Sequence, residues 1–328
     1  MNFFLHIELP KSLIGITYHD LNMLFGSCFA ENIGNKFIEH QFQADVNPFG
    51  ILYNPESIAL SVKQLLENKP IGREEIFFYD GLYHSFAHHS SFSDISPEAC
   101  FRKMNGRFSF SSCNIRKINR MYVTFGTAYL YRLKETGQVV ANCHKLPAKL
   151  FVREQLSVAQ IVDRWEELLT GLFALNKGLV LFLSVSPVRY LQDGVHENQL
   201  SKSILLLAIE ELQKRFPDEI VYFPAYELLL DELRDYRFYA GDLLHPSDTA
   251  LQYIWERFVD TYMNDATRQL MQEATRIRKS LNHRPLYRYS ESYKEFISQI
   301  LIKIERLNAK MPYICFKKEM EELIQERD

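Results

Sequence analysis

Long apolar runs are missing from this sequence of 328 residues. None is long enough to span a bilayer, and the start, MNFFLHIELPKSLIG, lacks a basic segment followed by a sustained apolar one, so a soluble cytoplasmic protein is expected. Cysteine is sparse: five residues, an odd number at scattered spacings, make no disulfide framework and fit a reducing compartment. Charge of one sign is not in excess either. With 38 Lys and Arg against 41 Asp and Glu, the net charge of -3 gives no global field for a polyanion, which removes nucleic acid as a default partner. No internal repeat and no low-complexity tract interrupts the chain. What is there is an ordinary globular composition, 47% hydrophobic and 24% charged, at a length that suits one large domain or two.

Continuous apolar runs of strand length recur at 21–25 (LNMLF), 121–125 (MYVTF), 179–185 (LVLFLSV) and 219–223 (EIVYF). Strands buried on both faces read this way, as in a parallel sheet covered by helices. Helical periodicity fills the gaps at 157–176 and at 198–216, the latter stopping before Pro217. The alternation predicts an α/β three-layer sandwich. Residues 72–120 show no clear period and are expected to be an irregular, loop-rich insertion. After Met263 the pattern becomes charge-alternating and helical, interrupted at 282–287 (NHRPLY). The expected division is therefore a domain over 1–262 and a helical C-terminal extension over 263–328.

The stretch LNMLFGSCFAENIG, 21–34, places Ser27 where a strand turns into a helix. In open α/β sheets that position faces the ligand, and the helix N-terminus beside it can stabilise an oxyanion. Taken alone, Ser27 reads first as a plain N-cap, and the absence of a capping box, with Ala30 three residues beyond it, weakens that reading only a little. A nucleophilic serine needs a base and a group to orient that base. Late in the chain, FYAGDLLHPSD offers Asp242 and His245 three residues apart in a Gly- and Pro-punctuated turn. At that spacing the carboxylate can accept the Nδ1 proton and leave Nε2 outward.

GSCFAENIG, followed in order by NPFGILYNP (47–55), TFGTAYLY (124–131), NCHKLPAKLF (142–151), SVSPVRY (184–190) and GDLLHPS (241–247), closely resembles the GSCFA family, which is grouped with the SGNH or GDSL-like hydrolases. The resemblance implies an SGNH hydrolase-like α/β/α sandwich with a central parallel sheet. It also implies a catalytic set of Ser27 as nucleophile, His245 as base and Asp242 as its orienting carboxylate. The oxyanion hole of such enzymes takes the N–H of the serine, the N–H of a second-block glycine, here Gly50, and an Asn side chain from a G-x-N-D block. Here GTAY puts Ala128 at that last position. Either Asn142 supplies the donor from the next loop, or the hole is short by one hydrogen bond, a loss of roughly 2.7–4 kcal/mol of transition-state stabilisation.

Cys28 is a competing nucleophile, but at about 100° per residue it cannot share His245 with Ser27, and packing against the sheet is its alternative role. The cluster YHSFAHHS with Cys143 and His144 raises a metal set. His84 and His88 lack a carboxylate or Cys pair to complete one, so no metal is expected. His84, His88 and His89 are read as lining the substrate cleft or as solvated loop residues. His144 and Lys145 are read as contacts to an anionic or sugar-like substrate or as a polar loop. The aromatic stretches EEIFFYDGLYHSF and FPAYELLLDELRDYRFY suit a sugar-stacking platform or simple packing. The expected function is a serine esterase, deacetylating an acylated carbohydrate and requiring no cofactor. The alternative is a glycan- or protein-binding module that keeps the hydrolase fold. The charged C-terminal helices read first as a solvated flank and second as a homodimer contact.

Overall fold

The computed structural model describes residues 5–9, 14–281, 287, 290–314 and 316–327. The chain opens with β1 (Asn22–Gly26), α1 (Cys28–Glu39), β2 (Ala44–Val46) and α2 (Pro55–Leu66). A hairpin of β3 (Ile76–Tyr79) and β4 (Leu82–Ser85) leads to α3 (Pro97–Asn114), and then come β5 (Arg120–Phe125), β6 (Tyr129–Leu133), β7 (Val139–Val140) and β8 (Phe151–Gln155). The pattern α4 (Val158–Leu175), β9 (Val180–Val185), α5 (Val195–Arg215), β10 (Ile220–Tyr222) and a short α6 (Ala225–Glu227) follows. The last helices are α7 (Asp248–Tyr262), α8 (Asp265–Leu281), α9 (Glu291–Lys310) and α10 (Lys317–Arg327). The described residues within 1–8, 21–34 and 45–255 form one compact unit, and those within 9–20, 35–44 and 256–328 a second.

In the first unit the main sheet has the order β10-β9-β5-β1-β2, and the registered pairs β1–β5, β5–β9 and β9–β10 are parallel. The apolar runs that mark four of these strands are continuous because both faces are covered. One face carries Met23, Phe25, Met121, Val123, Phe125, Leu181, Leu183 and Val185 into a core shared with α2, α4 and α5. The opposite face buries Leu24, Tyr122 and Phe182, with Tyr122 stacked on Phe182 at 4.9 Å between centroids. Trp165 of α4 locks the layers, its ring edge-on to Phe125 at 5.1 Å and its Nε1 donating to the Pro55 carbonyl at 3.2 Å. The fold is α/β, a central parallel sheet flanked by helices, with helices at the C-terminal end.

Counting only the sheet strands along the chain, the order is 2-1-3-4-5, so the winding direction reverses between β1 and β5. That reversal opens a crevice at the carboxyl ends of these two strands, the usual place for a ligand in such sheets. A separate three-stranded antiparallel sheet, β7-β6-β8, follows β5 directly and contributes Tyr129, Tyr131, Val140 and Arg153 to the same region.

Residues 72–120 are more regular than the sequence pattern implies. Asp80 and Gly81, at φ 46 and 79, form a tight turn between β3 and β4. Ser96 caps the 18-residue α3 through a 3.3 Å bond from Ala99 N–H, and Pro97 occupies its first turn. The buried residues of α3 are Cys100, Met104, Phe108 and Ser111, one per turn, too narrow a stripe to register as an apolar period.

In the second unit, α9 buries Ile297, Ile300, Leu301, Ile304 and Leu307 at three-and-four spacing and packs against α8 and α10. Tyr18 stacks on Phe42 at 4.1 Å, and Ile16 bridges to Met263. Of the expected interruption at 282–287, positions 282–286 lie outside the described residues. Among the described residues no helix is long and apolar enough to cross a membrane.

Candidate active site

The motif glycine explains where Ser27 sits. Gly26 ends β1 at φ 140, and a Cβ there would stand 2.3 Å from the Thr124 carbonyl oxygen of β5, so only glycine lets the two strands close while the chain turns into α1. Gly26 N–H donates to Asn47 Oδ1 at 3.0 Å, which fixes the turn. Ser27 is then held, buried, at the carboxyl end of the sheet, immediately before the first helical residue. The N–H groups of the first helical turn have no intrahelical partner and point to this spot with the positive end of the helix dipole. The hydroxyl is not committed to capping that helix. It donates to Ser186 Oγ at 3.1 Å, at the end of β9 and 159 residues away.

The Asp242 and His245 turn is built by the carboxylate itself. Leu243 adopts φ 59, which folds the loop back so that Asp242 Oδ1 accepts the N–H of Leu244 at 2.9 Å and of His245 at 3.0 Å. Oδ2 accepts from His245 Nδ1 at 2.6 Å, so the ring is oriented with Nδ1 protonated and Nε2 outward. The backbone N–H groups of His245 and Leu244, together with the imidazole, hold the Asp242 carboxyl down at about 2.

Ser27 and His245 line one cleft of about 720 Å³, between the strand ends and the β6–β8 wall. That volume suits a small organic molecule or a short oligosaccharide. Among the described residues no hydrogen bond joins Ser27 to His245. The structure therefore brings two of the three expected catalytic side chains, Ser27 and His245, to one cavity, holds Asp242 against His245 without placing it in the lining, and leaves the serine hydroxyl turned toward Ser186.

Cys28 also lines the cleft, but burial pushes its thiol up and disfavours the thiolate it would need as a nucleophile. Behind the strand ends lies Lys202 of α5, fully buried, whose ammonium donates to the Gly126 and Ser186 carbonyls at 2.7 Å each. Burial pushes it down to about 7. Lys202 thereby ties the ends of β5 and β9 together directly beneath Ser27 and Ser186.

Several expected site residues are placed elsewhere. Gly50 does not line the cleft; its N–H donates to the Asn47 carbonyl at 2.8 Å, and at φ 78 it lies against His89, where a Cβ would come within 2.4 Å. It is a turn glycine, not an oxyanion donor. His84, His88 and His144 are buried and do not line the cleft. The two ring nitrogens of His84 meet Ser93 Oγ at 2.7 Å and the Tyr79 carbonyl at 3.0 Å. His144 Nε2 donates to the Ser85 carbonyl at 2.8 Å, and His88 stacks on Phe49 at 4.8 Å. Burial pushes His88 down to about 3 and His144 to about 4, so both are neutral packing groups. Among the described residues no set of three or more His, Cys, Asp or Glu side chains is gathered to hold a metal. Phe77, in the first expected sugar platform, stacks on Phe86 at 4.2 Å as packing; the aromatic faces of the cleft belong instead to Tyr53, Tyr129, Tyr131 and Tyr190.

Asn142 does line the cleft, with Oδ1 accepting from His144 N–H at 2.8 Å. Ala128 is buried and its N–H donates to Ser201 Oγ at 2.8 Å, so an Asn there would point into the core. Asn54, which the sequence reading passes over, is better placed. Its Oδ1 caps α2 by accepting from Ser57 N–H at 2.8 Å, and it lines the cleft with Nδ2 as the remaining donor. Asn-Pro ahead of a helical period is a cap signal, which could have flagged the position though not its second use.

Comparison with solved structures found an acetyl xylan esterase, Est2A, from the rumen bacterium Butyrivibrio proteoclasticus, at 10% identity and a TM-score of 0.37. The match covers 75% of this chain and 64%, under two thirds, of that one. A search of the curated proteins found no match. The family model described as the GSCFA family matches residues 22–258, and that of the GSCFA domain protein C-terminal domain matches 274–326. Residues 22–258 hold both the Gly26–Ser27 turn and the Asp242–His245 pair, and on that match the chain belongs to the GSCFA family.

Proposed function

We propose that the protein is a serine esterase of the SGNH type that removes a short acyl group, acetyl in the first instance, from a carbohydrate. The observation that carries this reading is that Ser27 and His245 line one cleft while Asp242 fixes the imidazole with Nε2 outward. In the reaction the Ser27 hydroxyl turns from Ser186 Oγ to His245 Nε2. It gives up its proton there and attacks the ester carbonyl. Asp242, ionised at any working pH, stabilises the imidazolium. The oxyanion sits against the Ser27 N–H and the first turn of α1, with Nδ2 of Asn54 and Asn142 as side-chain donors. Collapse expels the alcohol, which takes the proton from His245, and water repeats the sequence to release the acid. Tyr129 is already stacked by Arg153 and bonded to Glu197, so it is Tyr53 and Tyr131 of the cleft that support a sugar as the alcohol, because a tyrosine ring offers an apolar face to stack and a hydroxyl to bond. Cys28, Cys100, Cys113 and Cys143 are all free thiols, which supports a reducing, cytoplasmic setting.

The test is hydrolysis of p-nitrophenyl acetate and butyrate by the protein and by its Ser27→Ala and Cys28→Ala variants, with and without chelator. The reading predicts a loss on the order of 10³-fold or more in Ser27→Ala alone, unaffected by chelator. One observation favours a second reading, a binding module that keeps the hydrolase fold: Ser27 is bonded to Ser186 and not to His245. Turnover no faster in the unaltered protein than in Ser27→Ala supports that module instead.

A further inference from the structure

The cleft has an unusual electrostatic lining. Two arginines, Arg153 and Arg189, face it, and no Asp or Glu is among its lining residues. The two arginines are in different states. Arg153 is paired through both terminal nitrogens with Asp193 and stacks 3.8 Å over the Tyr129 ring, so its charge is answered within the protein. Arg189 makes no hydrogen bond or ion pair through its guanidinium among the described residues; its Nε, like that of Arg153, is buried without a partner, so the difference lies in the terminal nitrogens, which Asp193 answers for Arg153 alone. An arginine so placed normally has a carboxylate or carbonyl against it, because a partly desolvated guanidinium without an acceptor is costly.

The carboxylates bonded to the residues that line the cleft are engaged there. Asp193 holds Arg153, Glu197 accepts the Tyr129 hydroxyl at 2.7 Å, and Asp242 sits behind His245. Glu31 acts on Tyr53 and Cys28 through space but is not a lining residue. Lys202, the other cation near this floor, is directed into the strand ends and donates to two carbonyls there. Arg189 is thus the one lining cation of the described cleft with no counter-charge. Its backbone ties it to the catalytic loop, since Arg189 N–H donates to the Leu244 carbonyl at 3.2 Å, one residue before His245.

We propose that Arg189 is the anchor for an anionic group on the substrate, a carboxylate carried by the acylated molecule a few atoms from the ester that Ser27 attacks. The planar guanidinium suits a carboxylate through two parallel hydrogen bonds, and the anchor beside the His245 loop sets the distance between that anion and the scissile bond. The substrate class is then an acidic ester, such as an acylated uronic or other sugar acid, rather than a neutral one. This rests on the esterase reading for its reaction, but the anion site itself does not.

The test uses the full chain and a matched pair of esters, 4-nitrophenyl hydrogen glutarate and its neutral counterpart, 4-nitrophenyl methyl glutarate. Alongside it, calorimetric titration with glutarate and with dimethyl glutarate reads binding without turnover. The proposal expects kcat/KM to favour the carboxylate ester by about tenfold to a hundredfold, the range of a hydrogen bond to a charged group. Arg189→Gln should bring that ratio near one, and Arg189→Lys should keep part of it. Equal kcat/KM for the two esters in the unaltered protein overturns the anion site while leaving the esterase standing. If neither ester is turned over, glutarate binding that disappears in Arg189→Gln upholds the anion site and counts against the esterase. Absent glutarate binding, or binding no tighter than that of dimethyl glutarate, overturns the site in that case.

Discussion

Replacing Lys202 by methionine removes a buried ammonium from the floor of the cleft, and the structure fixes how the consequence depends on pH. Burial lowers the group from 10.5 to about 7 in the folded chain, a difference worth about 5 kcal/mol between protonation states. Between pH 7 and 10.5 the unfolded chain holds a proton on this side chain that the folded chain does not. Unfolding therefore takes up a proton in that window, and stability rises with pH across it. Below pH 7 both states are protonated and the cost of the buried charge is present in full. Methionine has no such titration, so subtracting the variant's stability from that of the unaltered protein isolates Lys202. The difference should change by about 2 kcal/mol in favour of lysine between pH 7 and pH 9. Urea unfolding at pH 7, 8 and 9 measures it. The absolute offset also contains the two carbonyls, Gly126 and Ser186, that lose their donor, which is why the slope is the test. A difference that stays constant from pH 7 to 9 would refute the reasoning.

Two further outcomes follow from the packing. Gly26→Ala should cost on the order of 3 kcal/mol or prevent folding, since it adds backbone strain and a clash with the Thr124 carbonyl; Gly106→Ala, in the interior of α3 with open space around it, should be neutral or slightly stabilising in the same thermal melts. His88 is neutral when folded to about pH 3, so as pH falls below 6.5 the unfolded chain alone takes up the proton. Stability should then drop by up to about 1.4 kcal/mol per pH unit, and His88→Gln should flatten that part of the acid-unfolding curve.

Much of the scaffold is legible in the sequence because burial on both faces leaves a mark that polar neighbours do not erase. Continuous apolar runs locate β1, β5, β9 and β10, and the Ser157 cap with Gln160 three residues on marks the start of α4. Strand β2 carries no such mark. It is Ala44-Asp45-Val46, whose carboxylate would be out of place in a core strand but is paired with Arg107 of α3, a partner 62 residues away that no local pattern reveals. The β3–β4 hairpin and α3 had local signals, Asp80-Gly81 and Ser96-Pro97, in a stretch whose overall composition hides them.

At the site, the residues that spacing could place are those whose geometry is local. Asp242 and His245 meet within one turn, and Ser27 lies at a strand-to-helix junction. Gly50, Asn54 and Ala128 show the limit, because an N–H or a side chain serves a cleft only if nothing nearer claims it. Gly50 N–H is claimed by Asn47, Ala128 faces the core, and Asn54 keeps one donor free after capping α2. Histidines cluster in the sequence at 84–89 and 144, and in the fold His84 and His144 do meet, their rings 4.4 Å apart, but both are buried and neither lines the cleft.

The central claim, that Ser27 is a nucleophile activated by His245, is tested most directly by treating the protein with diisopropyl fluorophosphate and locating the adduct by peptide mass spectrometry. The reagent phosphorylates an activated nucleophile, and at a serine whose proton a base can take it forms a phosphorus–oxygen bond and releases fluoride. The account predicts one adduct, on Ser27, that is lost in His245→Ala. An adduct on Cys28, or no adduct on a folded chain, would contradict it.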